Sequence, residues 1–100
     1  MRLTPFQIET IKQHVQRCFG KTAEVWLFGS RVDPNKRGGD IDLYVETDLH
    51  EPDALVDAKL KALSAIKYEM GDQKIDLVIY RRGMPVEPIH FEALETGVRL

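Results

Sequence analysis

The stretch FGSRVDPNKRGGDIDLYV, Phe28 to Val45, ends one hydrophobic run with a bare Gly-Ser turn and opens the next with two acids. The run before it, Ala23-Glu24-Val25-Trp26-Leu27-Phe28, is rich in residues that suit a strand. The run after it, Ile41-Asp42-Leu43-Tyr44-Val45, alternates apolar and polar or aromatic side chains. Successive side chains of a strand point to opposite faces, so Ile41, Leu43 and Val45 share one face and Asp40, Asp42 and Tyr44 the other. The first set reads as core. Between the runs, Pro34, Asn35, Gly38 and Gly39 mark a loop.

Outward from this centre, Thr4-Pro5-Phe6-Gln7 has the form of a capping box, with Leu3 and Ile8 placed as a hydrophobic staple. Ile8, Ile11, Val15, Cys18 and Phe19 recur at helical spacing up to Gly20. On the other side, Asp53 is expected to cap a helix reaching about Met70, with Val56, Leu60, Leu63, Ile66 and Met70 as its buried stripe. Lys74 to Tyr80 reads as a third strand: Ile75, Leu77 and Ile79 on one face, Asp76, Val78 and Tyr80 on the other. A short last helix is expected near Glu87 to Glu95, burying Ile89, Phe91 and Leu94.

The order helix, strand, strand, helix, strand, helix predicts a two-layer α+β fold with a small mixed sheet and helices packed on one face. The other face carries Asp40, Asp42 and Asp76. It must stay at least partly open, because three carboxylates buried without partners are very costly.

At 100 residues the chain is expected to form a single domain, residues 1–100. Its formal charge of −2 argues against general nucleic-acid binding. A lone Cys18 allows no disulfide within the chain, and no apolar run is long enough for a signal peptide or a membrane span. The expectation is a soluble cytoplasmic protein with no membrane partner.

Asp40 and Asp42, two apart on a strand, bracket a place for a hard cation, and Asp76 points from the same sheet face. Mg²⁺ binds through one or two carboxylates plus substrate phosphates. Three acids from two strands provide for two ions. One would activate an attacking hydroxyl; the other would hold a triphosphate and stabilise the leaving pyrophosphate. Gly29 lets backbone approach a phosphate, the turn's N–H groups form an anion-binding concavity, and the Ser30 hydroxyl donates to a phosphate oxygen. Singly, each feature reads as a solvated edge, an ordinary turn or a surface acid. Jointly, Gly-Ser, nine residues, Asp-Ile-Asp and a later strand acid form a specific pattern.

That pattern resembles the DNA polymerase β-like nucleotidyltransferase superfamily, and within it the minimal nucleotidyltransferase group. The resemblance spans nearly the whole chain. It rests on Gly29-Ser30-Arg31, on Asp40 and Asp42, and on Asp76. The spacer is one residue shorter than is usual in the family, and Gly39 stands where Ser is common. The resemblance implies that Asp40, Asp42 and Asp76 are catalytic and bind metal, that Gly29, Ser30 and Arg31 bind nucleotide, and that ATP and Mg²⁺ are used. It also implies a HEPN-domain RNase toxin as partner, silenced by transfer of AMP to one of its tyrosines, with this protein as antitoxin. Two alternatives stay open: neutralisation by binding alone, and nucleotidyl transfer to a small molecule. An open sheet face is compatible with a homo-oligomer or an assembly with the partner.

Other residues carry weaker signals. Lys36 and Arg37 read equally as triphosphate or partner contacts and as a solvated loop. Arg81 and Arg82, after the third strand, are candidates for the site rim. Tyr44 and Tyr80 read as partly buried structural residues. His14, His50 and His90 lack metal spacing and read as surface or helix residues. Cys18 reads as inert, and Trp26 as either structural or part of a partner surface.

Overall fold

The computed structural model describes residues 3–33 and 39–100, apart from the side chain of Ser30. Lys36 and Arg37 lie outside the described residues. The elements run α1 (Pro5–Phe19), β1 (Glu24–Phe28), a 3₁₀ turn (Gly29–Val32), β2 (Ile41–Thr47), α2 (Pro52–Met70), β3 (Ile75–Arg81), α3 (Pro88–Thr96) and β4 (Val98–Arg99). Among the described residues no helix is long and apolar enough to cross a membrane.

The start of α1 is the predicted capping box. The Gln7 amide donates to Thr4 Oγ1 at 3.1 Å, and the Thr4 amide donates to Gln7 Oε1 at 2.9 Å. Two of the helix's free N–H groups are satisfied this way. At the other end, the buried Thr47 hydroxyl donates to the Phe19 carbonyl at 2.7 Å, tying the last turn of α1 to β2. α2 is capped two residues earlier than predicted. Pro52 takes the first helical position, so Glu51 is the cap, and its carboxylate accepts from the amides of Asp53 and Ala54.

The sheet order is β3-β2-β1-β4. β1 pairs antiparallel with β2 and with β4, while β3 joins β2 in parallel. A parallel neighbour requires a long crossover, and α2 supplies it. β4, formed by Val98 and Arg99 of the tail, was not expected from the sequence. Two residues are too few to show a strand's alternation.

Ile11, Val15 and Phe19 of α1, Leu55, Ala58, Ala62 and Ile66 of α2, and Leu27, Ile41, Leu43, Val45, Ile75 and Leu77 of the sheet form one core. The expected stripe of α2 is therefore corrected. Val56 and Leu60 are 60% and 61% exposed, and the buried row is the one containing two alanines. Small side chains let α2 pack closely on α1, which outweighs the larger apolar area of Val56 and Leu60.

α1 and α2 cover one face, as expected, but α3 lies against the other. There Phe28, Tyr44 and Ala93 are buried together, with Trp26, Val78 and Tyr80 packed around them. The buried residues of α3 are His90 and Ala93, not Ile89, Phe91 and Leu94, which are all exposed. Beneath α3 the aromatic layer leaves room only for a methyl group and a hydrogen-bonded ring. Trp26 meets Tyr44 edge to face at 5.3 Å, so it is a structural residue.

Of the histidines read as surface or helix residues, His14 and His90 lie in α1 and α3 and are buried. His14 pairs with Glu69 across α1 and α2 through Nε2. His90 accepts the Glu87 amide at Nδ1 and, as the Nε2–H tautomer this implies, donates to the Ile79 carbonyl at 3.2 Å. It thereby fastens α3 to β3.

Candidate functional site

The parallel register of β2 and β3 sets Asp42 directly beside Asp76, and the antiparallel register sets Phe28 on Asp42's other side. The chain leaves β1 at Phe28 and turns at Gly29 with φ of +77°, a conformation open to glycine and strained for other residues. A Cβ on Gly29 would overlap the Asp42 carboxylate. The bare turn is thus the cleft into which that carboxylate fits. Sequence reasoning paired these features through a phosphate; the structure pairs them through direct contact.

Asp42 is half-buried, Asp40 is half-buried just before β2, and Asp76 is exposed. Burial, then the charges of Asp76 and Asp40, push the Asp42 carboxyl above its ordinary range. Lys74 pulls in the opposite direction, and Glu92 of α3 adds a further upward push. Asp40 and Asp76 are therefore both close enough to act on the Asp42 carboxyl. Their side chains do not converge on a point: among the described residues, no three His, Cys, Asp or Glu side chains are gathered to hold a metal ion. Asp40 is engaged instead by Lys74, whose Nζ lies 3.4 Å from Oδ2.

The donor set still fits a hard divalent cation. It offers oxygen ligands alone, with a repulsion at Asp42 that Lys74 offsets only in part and a cation would reduce further, and it lies beside a glycine cleft. The cation would be held by Asp42 with Asp40 and Asp76.

Arg31 reaches across the site's floor. Its Nε donates to the Gly39 carbonyl at 3.4 Å and its Nη2 to Gln73 Oε1 at 3.3 Å. The guanidinium thus links the loop before Asp40 to the segment before β3. Ser30 belongs to the 3₁₀ turn by its backbone, and its hydroxyl lies outside the described residues.

Arg81 and Arg82 are not at the rim. Arg81 ends β3 and Arg82 follows it, whereas Asp76 stands at the strand's start. Arg82 is held by Glu24 and Asp48, at 2.9 and 3.3 Å, and Arg81 donates to the His50 carbonyl at 3.2 Å. Tyr44 and Tyr80 are structural, as expected. Tyr44 donates to Glu46 at 2.8 Å, and burial followed by that bond pushes its phenol well up. Tyr80 donates to the Met84 carbonyl at 2.8 Å.

Lys74 and Glu92 were missed. Lys74 was legible, since it stands two residues before Asp76 and so shares its face. Glu92 was not, because nothing in the sequence says that α3 lies over the acid-bearing face.

The profile of the family described as Nucleotidyltransferase domain matches residues 8–99. Comparison with curated proteins finds no match.

Proposed function

Since the chain belongs to the nucleotidyltransferase domain family, we propose that it transfers AMP from ATP to a protein hydroxyl, a tyrosine of a HEPN-domain RNase, and so acts as that toxin's antitoxin. The observation that carries the chemistry is the pairing of Asp42 with Asp76 beside the Gly29 cleft.

In this reading Mg²⁺ would be held by Asp42 with Asp40 and Asp76. When bound, such an ion would supply neutralising charge for the triphosphate and would favour ionisation of the acceptor hydroxyl. The acceptor oxygen forms a bond to the α-phosphorus, and the bond from that phosphorus to the β-phosphate bridging oxygen breaks. Pyrophosphate leaves. Asp76, the most exposed of the three acids, takes the hydroxyl proton and returns it to water. Gly29, which carries no Cβ, leaves the space that the Asp42 carboxylate occupies beside the turn. Arg31 fixes the loop that carries Asp40.

Two features support a protein as acceptor. Asp76 is exposed and Asp40 and Asp42 are half-buried, so a macromolecular acceptor can reach them. In addition α3, whose Glu92 acts on Asp42, presents Ile89, Phe91 and Leu94 outward, an apolar surface suited to a macromolecule.

The test is the intact mass of a HEPN partner co-expressed with the wild type or with Asp42→Asn. A gain of AMP units with the wild type alone supports the reading. No gain, with the two proteins co-purifying, replaces it with neutralisation by binding.

A further inference from the structure

We infer that Lys74 is an exchangeable counter-ion of the acid cluster, resting on Asp40 when the site is empty and moving to the triphosphate when cation and nucleotide enter. The inference rests on the reading of the acids as a cation site.

The backbone sets the juxtaposition. β2 and β3 run parallel with Ile41 opposite Ile75 and Asp42 opposite Asp76, so the residues just before them, Asp40 and Lys74, stand opposite each other. The Ile41 amide donates to the Lys74 carbonyl at 3.1 Å, which fixes the two segments independently of any side chain. The side chains then meet, with Nζ 3.4 Å from Asp40 Oδ2.

Charge decides what this contact does. Asp40, Asp42 and Asp76 place three negative charges at one end of the sheet, and one ammonium offsets only part of that repulsion. A divalent cation needs the same Asp40 oxygens and competes for them with twice the charge. The Lys74 side chain is 71% exposed and Asp40 43% exposed. An exposed pair of this kind is held weakly, so a cation can displace the ammonium at little cost. Lysine carries a compact charge on a flexible four-carbon stem. Once displaced, the ammonium remains at the site's edge, where the polyphosphate of ATP brings the opposite charge. Lys74 therefore opposes the bare ion and favours the metal–nucleotide complex.

The test uses the whole protein and the variant Lys74→Met, which keeps the length of the stem. Mn²⁺ alone is titrated first, with the free ion read by electron paramagnetic resonance. Mg²⁺ with the α,β-methylene analogue of ATP is titrated next by calorimetry. Lys74→Met should tighten Mn²⁺ binding about two- to fivefold, in line with the worth of an exposed ion pair. It should weaken the nucleotide complex about threefold or more, as loss of a charge-assisted phosphate contact does. Lys74→Arg should keep both values near wild type. Unchanged or weaker Mn²⁺ binding in Lys74→Met overturns the inference, as does unchanged or tighter nucleotide binding. Asp42→Asn separates the two failures. If it abolishes Mn²⁺ binding while Lys74→Met changes nothing, the acid site stands and Lys74 has no such role. If Asp42→Asn binds Mn²⁺ as the wild type does, the cation-site reading fails and this inference falls with it.

Discussion

Asp42 and Asp76 stand side by side across the parallel strands β2 and β3, and the charge of the exposed Asp76 acts on the half-buried Asp42. The site consequently carries an electrostatic cost that the fold relieves only in part, through Lys74.

That cost has a pH dependence. Burial first, then Asp76 and Asp40, raise the Asp42 carboxyl above its ordinary value of 3.8. The unfolded chain releases this proton near the ordinary value, so the folded state holds it to higher pH. The associated stability is fully present below about 3.8, and it is lost as pH rises through the folded value. At neutral pH the ionised group is a net cost. Asp42→Asn should melt at a higher temperature than the wild type at pH 7 in chelator, and the gap should narrow as the pH falls toward the ordinary value. Thermal unfolding followed by circular dichroism at several pH values checks this.

Gly29→Ala meets two obstacles, the positive φ and the Asp42 carboxylate. The backbone alone costs roughly 1 kcal/mol or more, and the overlap adds to it. The double variant Gly29→Ala, Asp42→Ala should regain the overlap component and not the backbone one. A double-mutant cycle in denaturant unfolding reads the difference as a coupling energy.

The buried row of α2 is tested by two opposite changes. Ala62→Leu should destabilise the domain by about 1–3 kcal/mol through overpacking against α1. Leu60→Ser, on the exposed side, should stay within about 0.5 kcal/mol of wild type. Urea midpoints of the two variants decide between this row and the row of larger side chains.

His90→Ala removes the acceptor for the Glu87 amide and the donor to the Ile79 carbonyl. A loss of about 1–3 kcal/mol is expected from unsatisfied groups. Hydrogen exchange should rise first in α3, since His90 and Ala93 are its buried residues.

Much of this arrangement was legible in the residues. The capping box at Thr4 and the alternation of Ile41, Leu43 and Val45 against Asp40 and Asp42 are local patterns, and local patterns survive folding. The spacing of Gly29, Asp40, Asp42 and Asp76 pointed to the same chemistry that the family match supports in general form. Positions that depend on what packs against what were not legible. On α2, the Leu55, Ala58, Ala62 and Ile66 row and the row holding Val56 and Leu60 both have helical spacing, and only the closeness of α1 favours the alanines. On α3, the apolar residues face outward because His90 and Ala93 fit the aromatic layer of Phe28, Tyr44 and Tyr80. His14 gave no sign of burial because its partner, Glu69, is far along the chain on α2. Alternation assigns a face to Asp76, but no single strand states that its neighbour across the sheet is Asp42.

The most direct test of the central claim is transfer of label from ATP labelled at the α-phosphate to a HEPN acceptor in Mg²⁺. The wild type, Asp42→Asn and Asp76→Asn are compared, with γ-labelled ATP as a control. The account predicts label on the acceptor only with the wild type and only from the α-position. Label transferred equally well by Asp42→Asn, or arriving from the γ-position, would contradict it.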